Sequence, residues 1–156
     1  MILNKQVGVY LNLVHNRFKQ FITTLFQKHG HKLTPEQFLL LDALWDGKVL
    51  SQQQIADTIL KDKNSIVKLI DGLEKKGLVR RVEDKNDRRQ NLIEVTDRAM
   101  EVKDEISEIA MQTVDIIVKG IKKEDLNTFI KVLSKMTDNM SKEPALIDLQ
   151  GVIKSK

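Results

Sequence analysis

Residues 62–96 read DKNSIVKLIDGLEKKGLVRRVEDKNDRRQNLIEVT, and this stretch decides the fold. Asp62 is a helix-capping residue, and Ile66, Leu69, Ile70 and Leu73 follow at the three- and four-residue spacing of one helical face. The opposite face carries Asn64, Ser65, Lys68 and Lys75. Gly77 closes the helix directly after Lys75 and Lys76, whose charges suit a helix C-terminus. The period then changes from helical to two. Residues 78–83 and 90–95 read as short strands, the second with Ile93 and Val95 on either side of Glu94. Between them, Asp84-Lys85-Asn86-Asp87-Arg88-Arg89 is entirely polar and forms a hairpin tip.

Upstream, Ser51-Gln52-Gln53-Gln54 has the pattern of a capping box and opens a short helix with Ile55, Ala56 and Ile59 inward. Thr34-Pro35-Glu36-Gln37 repeats that pattern, with proline at the first helical position. The helix it starts carries Phe38, Leu41, Leu44 and Trp45, and Gly47 stops it. Residues 6–28 form a long helix whose Val7, Leu11, Val14, Phe18, Phe21 and Leu25 make a seam of period near 3.5, ended by Gly30. Such a seam must be covered by other helices. Downstream, Thr96-Asp97 opens a second long helix with Val102, Ile106, Ile109 and Ile116 along one face, broken at Gly120. A last helix from about Lys122 carries Leu126, Phe129, Ile130, Leu133, Met136 and Met140. The tail, 144–156, holds Leu146, Leu149 and Ile153 at helical spacing and reads equally as a short helix or a frayed end.

The expected fold class is therefore mainly α (α+β): a winged helix-turn-helix with a two-stranded wing, flanked by long N- and C-terminal helices. Residues 33–96 form the lobe, and 1–32 with 97–143 form a helical dimerisation region. Two prolines and seven glycines in 156 residues favour helix over a many-stranded sheet.

Charge is unevenly spread. From Lys61 to Arg89 there are ten Lys/Arg against six Asp/Glu, while the remaining 16 basic and 16 acidic residues cancel. The whole net charge of +4 thus sits in one stretch, either as the footprint of a polyanionic partner or as a solvated face. The chain has no cysteine, which excludes disulfides, zinc fingers and thiol chemistry. The first residues lack the basic flank and apolar stretch of a signal peptide, and no segment has the length of a membrane span, so a cytoplasmic protein without a membrane partner is expected. His29 and His31 form a His-x-His without nearby carboxylates or thiols in sequence, so no metal and no cofactor are expected. Three scattered histidines, no glycine-rich phosphate loop and no paired carboxylates argue against an enzyme.

A short helix followed within a few residues by a second one can place that second helix in a major groove about 12 Å wide. Lys63, Asn64, Ser65 and Lys68 lie at its start, and such side chains hydrogen-bond base edges or phosphate. A basic hairpin beyond it can reach phosphate or a minor groove.

Residues 34–99 resemble the core of the multiple-antibiotic-resistance regulator (MarR) family. Leu73-Glu74-Lys75-Lys76-Gly77-Leu78-Val79 is similar to that family's recognition-helix end and first wing strand. Arg81, Asp84, Asp87, Arg88 and Arg89 fall at the spacing of its wing signature, and Val95-Thr96 resembles its closing Leu-Thr. The departures are Gly72 in place of a side chain, Val67-Lys68 in place of Thr-Arg, and Ala99 in place of glycine. The resemblance implies a homodimeric DNA-binding transcription regulator, a repressor of a near-palindromic operator in double-stranded DNA. It implies wing contacts from Arg81, Asp87, Arg88 and Arg89, with Asp87 orienting one arginine while the other reaches DNA. It implies dimerisation through the flanking helices, for which Val7, Leu11, Val14, Leu126, Phe129, Ile130 and Leu133 supply the apolar surface. It also implies a small-molecule effector pocket, which Arg17, Phe18 and Trp45 would border. The alternative is a winged-helix module that binds protein and not DNA.

Overall fold

The computed structural model describes residues 2–141, so the tail at 144–156 lies outside the described residues. The elements run α1 (Ile2–Lys28), α2 (Pro35–Leu44), β1 (Leu50–Ser51), α3 (Gln52–Ile59), α4 (Lys63–Lys75), β2 (Val79–Glu83), β3 (Asn91–Val95), α5 (Asp97–Ile117) and α6 (Lys123–Met140). They form two compact units, one ending at Ile116 and the other starting at Ile117.

Local chemistry sets the helix boundaries. Thr34 and Ser51 each accept a hydrogen bond from the backbone N–H three residues on, and Gln37 and Gln54 reach back to the cap N–H, so both capping boxes form. Asp62 caps α4 by accepting from the Ser65 N–H at 2.8 Å. Gly77, at φ +72°, ends α4 with Gly77 N–H donating to Glu74 O and Leu78 N–H to Leu73 O, which satisfies carbonyls that the helix leaves open. Leu60 makes the turn between α3 and α4 at φ 55° while 81% exposed. A leucine there adopts the left-handed conformation at a cost of about 1–2 kcal/mol.

The expected two-stranded wing forms from β2 and β3, and β1 extends the sheet beyond it. The sheet has three antiparallel strands in the order β1-β3-β2. β2 pairs with β3 from Val79 opposite Val95 to Glu83 opposite Asn91, and β1 adds Leu50 opposite Ile93. Two residues of β1 carry no alternation to read, and only pairing with the distant Ile93 makes them a strand.

The core of the first unit gathers Ile22, Phe26, Leu40, Leu41, Leu44, Trp45, Ile55, Ile66, Ile70, Leu73, Ile93 and Ile106, all nearly or fully buried. The face of α1 that enters it carries Ile22 and Phe26, one position round from Phe21 in the expected seam, with Phe18 and Leu25 partly buried beside them. Trp45 stands at the centre, and its indole N–H donates to Ala99 O at 3.1 Å. Thr96 caps α5 and ties it to the end of α4, donating its hydroxyl to Gly77 O at 2.6 Å. The helix α6 has no buried residue.

Since the chain has one tryptophan, its fluorescence follows unfolding of this core. Ile66→Ala removes a fully buried side chain and is expected to cost about 2–5 kcal/mol in a denaturant titration. Leu60→Gly relieves the turn and is expected to raise stability by up to about 1 kcal/mol. A loss of stability in that second variant would refute the strain argument.

Candidate nucleic-acid interface

The buried stripe of α4 fixes what its other face presents. With Ile66, Ile70 and Leu73 fully buried, Lys63, Asn64 and Lys68 are exposed along the first two turns. Ser65 is half-buried, and its hydroxyl donates to Asp62 Oδ2 at 2.7 Å. The cap thus engages the serine proton and leaves only its oxygen lone pairs to accept. The Ser65 N–H, and then its hydroxyl, hold the Asp62 carboxyl below the usual aspartate value.

The hairpin that carries the wing is built on strand alternation. Val79 and Arg81 share the inward face with Ile93 and Val95, and Arg80 and Glu94 share the outer one. Arg80 donates to Glu94 at 2.6 Å across the strands, a pairing that pushes the guanidinium value up. Arg81 turns to α4. Its two terminal nitrogens donate to Asp71 at 2.5 Å and Glu74 at 2.6 Å, and the side chain is 22% exposed. Arg81, expected from the resemblance to be a wing contact, therefore clamps β2 to α4.

The hairpin tip is organised by Asp84, which is 7% exposed. Its carboxylate accepts from the Asn86 N–H at 2.9 Å and from the Gln90 amide at 2.9 Å, and those two bonds hold its pKa below the usual range. An aspartate opening a polar tip is the signature of such a turn, so this positioning role was open to sequence reading. Asp87 accepts from the backbone N–H and from Nε of Arg89, both at 3.1 Å. The Arg88 side chain is 89% exposed with its Nε 3.9 Å from Glu83, and that of Arg89 is 91% exposed. Lys85 is exposed beside them.

The remaining expected residues separate into distinct places. Phe18 lines a cavity of about 400 Å³ between α1, α2 and α5, together with His15, Ile22, Phe38 and Val114. Arg17 is exposed and outside that lining, and Trp45 is a core residue whose ring packs edge-on behind Phe38 at 6.1 Å. Val7, Leu11 and Val14 are 37%, 43% and 55% exposed on α1. On α6, Phe129 and Ile130 are 53% and 63% exposed, and Leu126 and Leu133 are half-buried. No helix among the described residues is long and apolar enough to cross a membrane.

Residues 33–90 match the model of the MarR family. Solved structures share the fold over most of the chain. A probable transcriptional regulator from Pseudomonas aeruginosa is 22% identical, with 86% of this chain and 98% of that one covered at a TM-score of 0.77. MepR of S. aureus, solved in a DNA complex, is 22% identical, with 85% and 96% covered at 0.76. BpsR of Bordetella bronchiseptica, whose DNA binding is regulated by 6-hydroxynicotinic acid, is 24% identical, with 85% and 93% covered at 0.77. At these identities the likeness is one of fold.

The two kinds of arginine are expected to respond differently to truncation. Arg81→Ala should cost about 1 kcal/mol of stability, since its ion pairs are only partly screened, and should speed amide exchange in β2 and β3. Arg88→Ala with Arg89→Ala should stay within about 0.5 kcal/mol of the parent chain. The reverse ranking in thermal unfolding would show that the tip, and not Arg81, anchors the hairpin.

Proposed function

We propose that this chain, whose lobe of residues 33–90 belongs to the MarR family, is a DNA-binding transcription regulator. It acts in the cytoplasm as a homodimeric repressor of a near-palindromic operator, and it is not an enzyme. The observation that carries the reading is the pair of guanidinium groups at the hairpin tip. Arg88 and Arg89 are about nine-tenths exposed and add almost nothing to folding, while Lys63, Asn64 and Lys68 line the outward face of the adjoining helix.

Each element has a distinct role in this reading. The first turns of α4 enter the major groove, where Asn64 and Lys68 meet base edges and Lys63 meets phosphate. Asp87 orients Arg89, and Arg88 reaches phosphate or the neighbouring minor groove. The exposed Val7, Leu11 and Val14 of α1 and the Phe129 face of α6 are covered by a second copy, because apolar surface of that extent is unstable in water. The cavity lined by Phe18 admits an effector, a reading supported by the regulation of BpsR by a small acid.

Double-stranded DNA should saturate at two chains per operator with half-sites about one helical turn apart. Replacing Arg88 and Arg89 by alanine should weaken binding to every duplex and reduce the slope of log affinity against log salt by about 0.9 for each phosphate that is no longer neutralised. Asn64→Ala should instead erode preference for the operator by roughly 1–3 kcal/mol. If the double variant binds operator and random duplex like the parent chain, with the same slope, the wing does not touch DNA and a protein-binding module becomes the better reading.

A further inference from the structure

The C-terminal end of α4 holds a cavity that the DNA-binding reading does not use. It encloses about 320 Å³ between the α1–α2 loop, the residues following α4 and the first turns of α5. Its floor is aliphatic: Leu33, Leu78 and Ile106 are buried there, and Val102 is half-buried. Its mouth is basic: Lys32, Lys76 and Arg98 are exposed around it, with His31 beside them. Among the described residues, no carboxylate lines it and none lies within 4.0 Å of Lys32, Lys76 or Arg98.

Charges of one sign gathered without a counter-ion are unfavourable, and the local bonding does not relieve them. The Lys76 ammonium donates only to uncharged acceptors, Lys32 O and Gln37 Oε1, the latter at 2.8 Å. Burial, and then the charge of Lys32, push its pKa below the usual lysine value. His31 lies on the same wall with Nε2 buried and no aligned hydrogen bond, although Glu105 Oε1 is 3.2 Å away. A second cavity of about 490 Å³ adjoins the first across Lys76, lined by Gln27 and Thr34.

We propose that this cavity is a binding site for a small amphipathic carboxylate, its aliphatic body on Leu33, Leu78, Val102 and Ile106 and its carboxylate among Lys32, Lys76 and Arg98. An anion supplies the missing counter-charge, and charge-assisted bonds in a part-buried setting are the strong ones. The aliphatic floor selects an acid with an apolar body over inorganic phosphate or a DNA backbone. The site is also remote from the groove-facing residues: Lys76 follows Asn64 by twelve residues, about 18 Å along the helix at 1.5 Å per residue. Lys76 is shared between the ligand and the Gln37 tether, which gives an occupant purchase on the recognition helix. The binding claim stands apart from the DNA-binding reading, since its test contains no DNA.

Octanoate is the probe, with octanamide as its uncharged counterpart, both in isothermal titration calorimetry and in methyl NMR of the full chain. Octanoate should bind saturably and shift the methyl signals of Leu33, Leu78, Val102 and Ile106. Octanamide should bind at least roughly tenfold more weakly, as should octanoate to a Lys32→Gln, Arg98→Gln double variant of unchanged melting temperature. Equal affinity for octanamide, undiminished octanoate binding in the double variant, or no saturation by about 10 mM would each overturn the proposal. So would methyl shifts confined to Leu39 and Val114, which line the other cavity. The NMR map is made on the parent chain and decides the matter even if the variant fails to fold.

Discussion

Ile66, Ile70 and Leu73 are fully buried, and their burial decides which face α4 shows to solvent. Each such side chain contributes about 1.5–3 kcal/mol on leaving water, far more than any exposed polar contact on the same helix. The helix therefore cannot rotate, and Lys63, Asn64 and Lys68 are held outward by what lies behind them. The caps refine that placement: Asp62 sets where α4 begins and Gly77 where it stops. Thr96 then joins the stop to the start of α5.

The second constraint is the allocation of positive charge. Of the basic residues between Lys61 and Arg89, Arg80 is neutralised across the strands, Arg81 binds two carboxylates of α4, and Lys76 is tied to α2 through Gln37 and to the α1–α2 loop through the Lys32 carbonyl. What remains outward is Lys61 just before α4, Lys63, Lys68 and Lys75 on it, and Lys85, Arg88 and Arg89 at the hairpin tip. Exposed pairs such as Arg88 with Glu83 contribute little to stability, so the fold does not account for the cations at the tip. Arg81 makes that arrangement directional, because it fixes the hairpin to the helix whose polar face lies beside it.

Much of this was legible in the sequence where the signal is local. The three caps, the glycine stop of α4 and the polar hairpin tip each depend on residues within a few positions of one another, and all form as read. Contacts that join distant segments were not legible. β1 exists only through Leu50 opposite Ile93. The long seam of α1 pointed to Phe21, whereas the core takes Ile22 and Phe26, because a period near 3.5 leaves the inward face ambiguous by one position. Arg81 resembled its neighbours in type and spacing, and only strand alternation with the nearby Asp71 and Glu74 separates it from them. Gly72, an odd residue in a helix interior, is explained by Gln37: a Cβ there would stand 3.0 Å from the Gln37 amide nitrogen, and Gln37 also accepts from Lys76.

The central claim is that one continuous surface, the outward face of the first turns of α4 together with the hairpin tip, meets double-stranded DNA. Amide hydrogen exchange of the full chain with and without duplex DNA tests it most directly. The account predicts added protection in residues 63–68 and 84–90 and little change along α2. Protection absent from both segments, or found only away from them, would contradict it.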